Sequence, residues 1–321
     1  MSPKPQKRRI STPFPAKDGA VGSSEPHDEE LERVAAELSR LEETAIASVF
    51  RRTFDQIYDG QRTGRFSFDQ LYKTEKTHFG TLIEINLQHR FAFSDGRVLD
   101  FEIGGVEVDC KYSKDIGGWM IPEEARGRVC LLLWASDLEA LWSPGIVRAS
   151  EKVLNLGINR DRKATLNEIG GQSIHWIFNQ VTMPANILLR LDRQIVDEIM
   201  SLQSGQKRVN ELFRRALGYR ISRQVVATVA RQDDYMKRVR ENGGARSALG
   251  YEGIIILGEY KAHTEIAEAL GFDPPGPGDS LAVRLTPATS NEVGTVKIDG
   301  AFWKFPGPGD PIIPAPRIPR S

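Results

Sequence analysis

The sequence predicts a mixed α/β fold that is divided between two domains. A length of 321 residues favours about two domains of roughly 150 residues each. Hydrophobic residues recur at helical spacing near the N-terminus, alternate with charged residues from Val98 to Lys111, and fill a strand-length run from Arg128 to Ser136. In the second half, short helical stretches separated by turns lead into one apolar strand. We therefore expect a domain that combines helices with a sheet, followed by a mainly helical domain.

Changes in composition indicate the domain limits. Residues 1–26 are rich in Pro, Lys, Ser and Gly without any period, which is typical of a disordered tail. Residues 27–165 are predicted to form the first domain, residues 166–180 a linker, and residues 181–305 the second domain. Residues 306–321 carry Pro every few positions and are predicted to form an extended tail.

Local patterns place the elements of the first domain. Asp28 is expected to open one amphipathic helix, and a second helix should end at Asp59-Gly60. Residues 69–93 are predicted to form a third helix. A β-hairpin is expected to turn at Gly104-Gly105, and the apolar run from Arg128 to Ser136 is typical of a buried central strand.

Acidic residues collect on this hairpin. Side chains alternate between the two faces of a strand, so Glu107, Asp109 and Lys111 should share one face. By the same argument, Asp100 and Glu102 share a face of the partner strand. The hairpin is therefore predicted to present several carboxylates and one lysine.

This arrangement is typical of metal-dependent phosphodiester cleavage. Carboxylate oxygens hold Mg²⁺, which neutralises charge at the phosphorus and activates water. A lysine can orient or deprotonate the water and stabilise developing negative charge. Asp109-Cys110-Lys111, with Asp100 upstream, fits this pattern, although Asp-x-Lys alone often arises by chance. Glu84, among apolar neighbours, is either a further site acid or the partner of a cation such as Arg90.

Other chemistries find little support in the sequence. The five histidines show no zinc-ligand spacing, and there is neither a Gly-x-Ser-x-Gly elbow nor a phosphate-binding Walker loop. Only two cysteines are present, which fits a reducing cytoplasm rather than a disulfide framework. No apolar run approaches the ~18 residues that would span a membrane.

The second domain combines helices with positive charge. Formal net charge is zero, yet residues 205–250 contain eleven Lys or Arg against four Asp or Glu, which suggests a polyanionic partner. Helices are predicted at residues 209–218, 223–230 and 235–242, before a strand at 251–257, the order of a helix-turn-helix with a wing. A solvated basic face is the alternative. The candidate DNA-binding residues are Arg223, Tyr235, Lys237, Arg238, Arg240 and Arg246.

Five blocks of sequence resemble the NaeI restriction endonuclease family. The resemblance runs from about residue 28 to 318. It implies a two-domain, homodimeric type II enzyme with a restriction-endonuclease core and a C-terminal winged helix like that of the catabolite activator protein. The blocks are Leu71–Leu87, Asp109–Ser113, Leu133–Asp137, Arg208–Arg215 and Gly253–Gly258.

The resemblance also assigns the active site. It implies that Glu84, Asp100 and Asp109 are metal-binding acids and that Lys111 acts on the attacking water. Cys110 would contribute its backbone carbonyl oxygen to the metal. The resemblance leaves Glu102 and Glu107 outside the site.

The implied function is Mg²⁺-dependent cleavage of both DNA strands at a specific site. The resemblance implies two bound copies of a GC-rich palindrome such as GCCGGC, one of them an activator. It further implies a cognate DNA methyltransferase as functional partner and a bacterial cytoplasmic location. Two alternatives stay open: a non-catalytic DNA-binding regulator with a vestigial nuclease domain, and a repair nuclease that acts on damaged or mismatched DNA.

Overall fold

The structure, a computed structural model, describes residues 27–155, 162–290 and 292–318. The predicted N-terminal tail, residues 1–26, lies outside the described residues, as does the end of the predicted C-terminal tail. The chain forms two compact units. The first comprises residues up to Thr53 together with Lys73–Pro184, and the second comprises Phe54–Tyr72 together with the residues from Ala185 onward.

Both units contain helices and strands. The helices are α1 Glu29–Ser39, α2 Glu43–Tyr58, α3 Gly60–Thr63, α4 Lys73–Phe91, α5 Glu168–Gln172, α6 Arg193–Ser201, α7 Gly205–Arg215, α8 Arg223–Ala230, α9 Ala245–Gly250 and α10 Lys261–Ala269. The strands are β1 Ser94–Asp95, β2 Phe101–Ile103, β3 Val106–Ser113, β4 Val129–Ser136, β5 Leu141–Arg148, β6 Leu154–Asn155, β7 Thr165–Leu166, β8 His175–Trp176, β9 Val181–Thr182, β10 Arg220–Ile221, β11 Ile254–Leu257, β12 Ser280–Arg284, β13 Thr286–Ala288, β14 Thr295–Ile298 and β15 Ala301–Lys304. The mixed α/β class is confirmed.

One mixed sheet forms the centre of the first unit. Its strand order is β1-β2-β3-β4-β5-β8, and β9 also pairs with β5. Strands β3 and β4 run parallel, with Asp109 opposite Cys130, while the other neighbours are antiparallel. Strand β4 is buried along almost its whole length, which explains its unbroken apolar sequence. The predicted hairpin and central strand are both confirmed.

Helix α1 begins where the sequence predicts. The Asp28 carboxylate accepts a hydrogen bond from the Leu31 N–H and so caps the first turn. The same carboxylate accepts two hydrogen bonds from the Arg148 guanidinium on β5, at 2.6 and 2.9 Å. One aspartate therefore both starts the helix and ties it to the sheet.

Strand β5 was not predicted, because Ser143-Pro144-Gly145 has the composition of a turn. Both Pro144 and Gly145 nevertheless fit into the sheet. The Pro144 carbonyl accepts a hydrogen bond from the Ile177 N–H at 3.0 Å. A Cβ on Gly145 would lie 2.5 Å from the Ile174 side chain and 2.9 Å from Trp176, so a larger residue would force these side chains to move.

The division between the units differs from the predicted linker. Residues 166–180 contain α5 and β8, and β8 pairs with β5 of the main sheet. The compact units divide after Pro184, and residues 54–72 group with the second unit. Short strands such as β8 carry too few residues to establish a period, so composition alone could not reveal them.

Two of the three helices predicted for the second domain are present in the second unit as α7 and α8. Helix α8 begins after Ser222, whose side chain caps it as expected. The predicted helix at residues 235–242 is instead a single 3₁₀ turn, Tyr235–Arg238, and a short separate helix, α9, follows it. Gly243-Gly244 interrupts the pattern, and a Cβ on Gly244 would lie 2.4 Å from the Arg240 carbonyl oxygen.

Strands β10, β12 and β11 form a three-stranded sheet in this unit, and β13, β15 and β14 form another. The winged-helix interpretation stays a prediction. The described part of the Pro-rich C-terminal segment has no regular structure, yet it is not a loose tail. The Ala315 N–H donates to the Gly250 carbonyl at 2.8 Å, and Ala315 and Ile318 pack against a hydrophobic cluster.

Within the described part of the chain, no helix is both long enough and apolar enough to cross a membrane.

Candidate active site

Three elements of the first unit bring the predicted site residues together. Glu84 lies on α4, Asp100 directly precedes β2, and Asp109 and Lys111 lie on β3. Helix α4 contacts β3, and β2 and β3 are the two arms of the hairpin. Residues from two separate segments of sequence thereby form one acidic cluster around Lys111.

The end of the β2–β3 ladder determines where Asp100 lies. The last pair at this end is Phe101 with Val108, so the backbone of Asp100 does not continue the ladder. Instead, its side chain accepts a hydrogen bond from the Cys110 N–H, at 2.7 Å from nitrogen to Oδ2. The carboxylate thus substitutes for a strand carbonyl, and this fixes it beside β3.

Lys111 binds three oxygens with its ammonium group. Its Nζ lies 3.1 Å from Asp100 Oδ2, 2.8 Å from Asp109 Oδ1 and 2.8 Å from the Cys110 carbonyl oxygen. Charge-assisted bonds of this kind are the stronger class of hydrogen bond. These oxygens belong to three of the residues that the sequence assigns to metal binding.

Burial raises the pKa of both of the more enclosed acids. The pKa of Glu84, which is half-buried, rises to about 7, mainly through desolvation and then through the negative charge of Asp100. Asp109 is only 3% exposed, and desolvation raises its pKa to about 6 even though Lys111 opposes the shift. Perturbed acids that share a site are typical of catalytic centres.

The pKa values of Lys111 and of the two nearby cysteine thiols are raised as well. Burial alone would lower the pKa of Lys111, but the Asp109 and Asp100 carboxylates outweigh burial and raise the pKa above its usual value. Lys111 therefore stays protonated at neutral pH. Burial raises the pKa of the Cys110 and Cys130 thiols, so neither side chain is a ready thiolate.

The donor atoms suit a hard divalent cation, although they are not gathered as a preformed metal site. Among the residues that the structure describes, no three His, Cys, Asp or Glu side chains lie close enough together to hold a metal ion. Nevertheless, Asp109 Oδ2 is buried and makes no hydrogen bond to the described residues. A buried carboxylate oxygen without a donor is destabilising, and a cation would satisfy it. The residues present therefore fit Mg²⁺ by their chemistry.

One nearby acid was missed in the sequence. Glu124 lies in a 3₁₀ turn before β4, and its negative charge contributes to the raised pKa of Asp109. Its only sequence signal is the pair Glu123-Glu124 after Pro122. That signal is indistinguishable from an ordinary exposed turn.

The six candidate DNA-binding residues lie in the second unit, where several already have protein partners. The Arg223 Nε donates to the Tyr235 hydroxyl at 2.8 Å, and Arg238 pairs with Asp234 at 3.1 Å. The Arg246 Nε donates to a carbonyl of β11 at 3.0 Å. By element, Arg223 begins α8, Tyr235, Lys237 and Arg238 lie in the 3₁₀ turn, Arg240 follows that turn, and Arg246 lies on α9.

These partners favour some candidates over others. Arg246 is half-buried and anchors a strand, which suits a structural role. Arg240 and Lys237 are exposed, although Lys237 lies 3.4 Å from Asp234. Their contribution to DNA binding stays a prediction.

Two comparisons with known proteins find similar sequences. The family model described as "Restriction endonuclease NaeI" matches residues 32–314. The Type II restriction enzyme NaeI of Lentzea aerocolonigenes is 47% identical over 304 residues, which cover 92% of this chain and 96% of that protein. The matches therefore extend over nearly all of both compact units.

Proposed function

We propose that this protein cleaves both strands of DNA at a specific sequence by Mg²⁺-dependent hydrolysis. The proposal starts from its family, because the chain belongs to the NaeI restriction endonuclease family. Family membership makes the chain a type II site-specific deoxyribonuclease. The observation that carries the proposed mechanism is the position of Lys111 against Asp100, Asp109 and the Cys110 carbonyl.

Each residue of the cluster has a proposed role. Glu84, Asp100 and Asp109, with the Cys110 carbonyl oxygen, would hold the metal ion. When bound, Mg²⁺ lowers the pKa of coordinated water and neutralises charge on the scissile phosphate. Lys111 orients the attacking water and stabilises the negative charge that develops on the phosphate oxygens.

The raised pKa values have a consequence for this role. A carboxylate must lose its proton before it can bind a cation, and Glu84 and Asp109 do so only near neutral pH. Binding Mg²⁺ would therefore release protons, and the site would fill more readily as pH rises through about 6 to 7.

The second unit is proposed to bind DNA, through a winged helix that includes α8. Its excess of basic residues between 205 and 250 supports the proposal, because phosphate contacts supply most of the affinity for a duplex. We further propose that the enzyme is a homodimer, that a second copy of a GC-rich palindrome activates it, and that a cognate methyltransferase protects the host. Its expected location is the bacterial cytoplasm.

Cleavage of plasmid DNA in the presence of Mg²⁺ tests the mechanism. Lys111→Ala should lower the cleavage rate by about 100-fold or more while the variant still binds DNA. Lys114→Ala is the matched control, because Lys114 is an exposed lysine three positions further along the chain. Sequencing the ends of the fragments would also give the target and the cut position.

Three outcomes distinguish the alternatives. Equal cutting by the wild type and Lys111→Ala would contradict the role of Lys111. Tight, salt-dependent binding of DNA without any cleavage would favour a non-catalytic regulator. Preferential cutting of mismatched duplexes over intact plasmid would favour a repair nuclease.

A further inference from the structure

The loop that delivers Asp100 to the site is fastened at two points. Residues 96–100 connect β1 to β2, with Ser94 opposite Glu102 and Asp95 opposite Phe101 in the ladder. The loop is tight, because a Cβ on Gly96 would lie 2.3 Å from the Leu99 carbonyl oxygen. The loop conformation therefore decides where the Asp100 carboxylate lies.

Glu107 provides the first fastening. Its Oε1 accepts hydrogen bonds from two consecutive backbone N–H groups of the loop, those of Arg97 and Val98, the latter at 2.9 Å. A carboxylate that accepts two adjacent amides fixes the backbone between them, as anion-binding turns do. Glu107 lies on β3, two residues before Asp109.

Gln88 provides the second fastening. Its Nε2 donates to Asp95 Oδ1 at 2.5 Å, at the start of the loop. Gln88 lies on α4 one turn after Glu84, so the helix that carries one site acid also holds the loop that carries another. The loop is thus attached to both elements that supply the remaining site residues.

We propose that Glu107, assisted by Gln88, is a positioning residue that holds the 96–100 loop so that Asp100 meets the Cys110 N–H and Lys111. Glu107 touches none of the proposed reacting groups and acts through the loop backbone. The inference rests on the proposed role of Asp100 in catalysis, but its geometric part can be measured without any cleavage.

The matched control is Glu102. It is the ladder partner of Glu107 and carries the same carboxylate on the same hairpin, but it is exposed and makes no hydrogen bond to the loop among the described residues. Glu107→Ala removes the acceptor from the loop amides. Glu107→Gln keeps a side-chain oxygen that can accept hydrogen bonds from these amides, so this variant should behave more like the wild type than Glu107→Ala does.

Amide hydrogen exchange resolved at Cys110 reports directly on Asp100, because that N–H donates to its carboxylate. In Glu107→Ala, exchange at Cys110 should accelerate by about tenfold, as expected for loss of a hydrogen bond to a charged acceptor. Glu102→Ala should exchange like the wild type. In cleavage assays, kcat of Glu107→Ala should fall by a similar factor while KM for DNA stays unchanged.

If the amide of Cys110 exchanges as slowly in Glu107→Ala as in the wild type, the inference is overturned, whatever the cleavage rate. Equal effects of the Glu102 and Glu107 variants would also overturn it. If Glu107→Ala does not fold, Gln88→Ala, at a half-buried position on a helix surface, tests the other fastening by the same exchange measurement. Faster exchange in a protein whose wild type does not cut DNA would support the positioning role and refute the proposed function instead.

Discussion

Glu84 and Asp109, whose pKa values are raised, have different surroundings from acids such as Asp28, whose pKa is lowered by its hydrogen bond with Arg148. Asp109 is buried on a central strand, and Glu84 faces the cluster from a helix. For both, desolvation outweighs the attraction of Lys111. The folded state therefore holds their protons more tightly than the unfolded state does.

This difference predicts how stability responds to pH. The pKa of Glu84 is about 7 in the fold against an ordinary value of 4.5, so its contribution favours folding at low pH and is lost as pH rises through that window. Glu84→Gln, which cannot ionise, should therefore raise Tm relative to the wild type at pH 8. The gain should shrink toward pH 5. Thermal unfolding in the presence of a chelator measures both.

Glu102→Gln, at an exposed position on the hairpin, is the control and should change Tm equally little at both pH values. A Tm difference for Glu84→Gln that does not vary with pH would contradict the raised pKa.

Sequence reasoning at the residue scale succeeded for part of the cluster. The alternation of side chains placed Asp109 and Lys111 on one face, and the structure brings them within 2.8 Å of each other. The hydrogen bonds of Glu107 were beyond that reasoning, because its acceptor oxygen meets loop amides whose positions follow from the folded loop and not from any period.

At the scale of elements, one buried ion pair joins α2 to the end of β4. Arg51 NH1 lies 2.5 Å from Asp137 Oδ1 and its NH2 lies 3.3 Å from Oδ2. Both residues are less than a tenth exposed. In such a site, the attraction between the charges largely offsets the loss of hydration, and removing one partner leaves the other charge poorly compensated.

Removing one partner of the ion pair should therefore cost more stability than replacing both. Arg51→Met should destabilise the fold by about 3 kcal/mol or more, since it leaves a buried carboxylate without its main partner. Arg51→Met combined with Asp137→Leu should recover much of that loss. Denaturant unfolding of the wild type, Arg51→Met, Asp137→Leu and the double variant measures the coupling, and simple additivity of the two single changes would contradict it.

Elements with a strong local pattern were predicted, and those set by tertiary contacts were not. The hairpin and β4 follow from alternation, a glycine turn and an unbroken apolar run. Strand β5 contains Pro144 and Gly145, which suit it only because β4, Ile174 and Trp176 lie beside it. The predicted helix at residues 235–242 is likewise reduced to one 3₁₀ turn, Tyr235–Arg238.

At the scale of the whole molecule, charge is separated along the chain while the total is zero. The basic excess between residues 205 and 250 falls within the second unit, and the acidic cluster around Lys111 falls within the first. Each unit therefore has its own electrostatic character, and DNA affinity and cleavage should be separable by substitution.

Reversing the charge of Lys237 and Arg238 tests that separation. The double variant should bind DNA more weakly, and the slope of log affinity against log salt should fall by about 2, because roughly 0.9 of a counterion is released per phosphate contact. Binding to duplexes in a salt series measures it. Lys261→Glu with Lys297→Glu makes the same charge change outside the basic segment and serves as control. An unchanged slope would contradict the assignment.

Lys111 is a counter-ion that the chain itself supplies to the acidic cluster. Its ammonium group offsets part of the repulsion between the Asp100 and Asp109 carboxylates, so we expect the fold to persist without an external cation. Metalloproteins whose ligands stay unpaired lose their structure when stripped of metal. We therefore predict that a chelator stops the proposed Mg²⁺-dependent cleavage but leaves Tm unchanged, which thermal unfolding with and without the chelator measures.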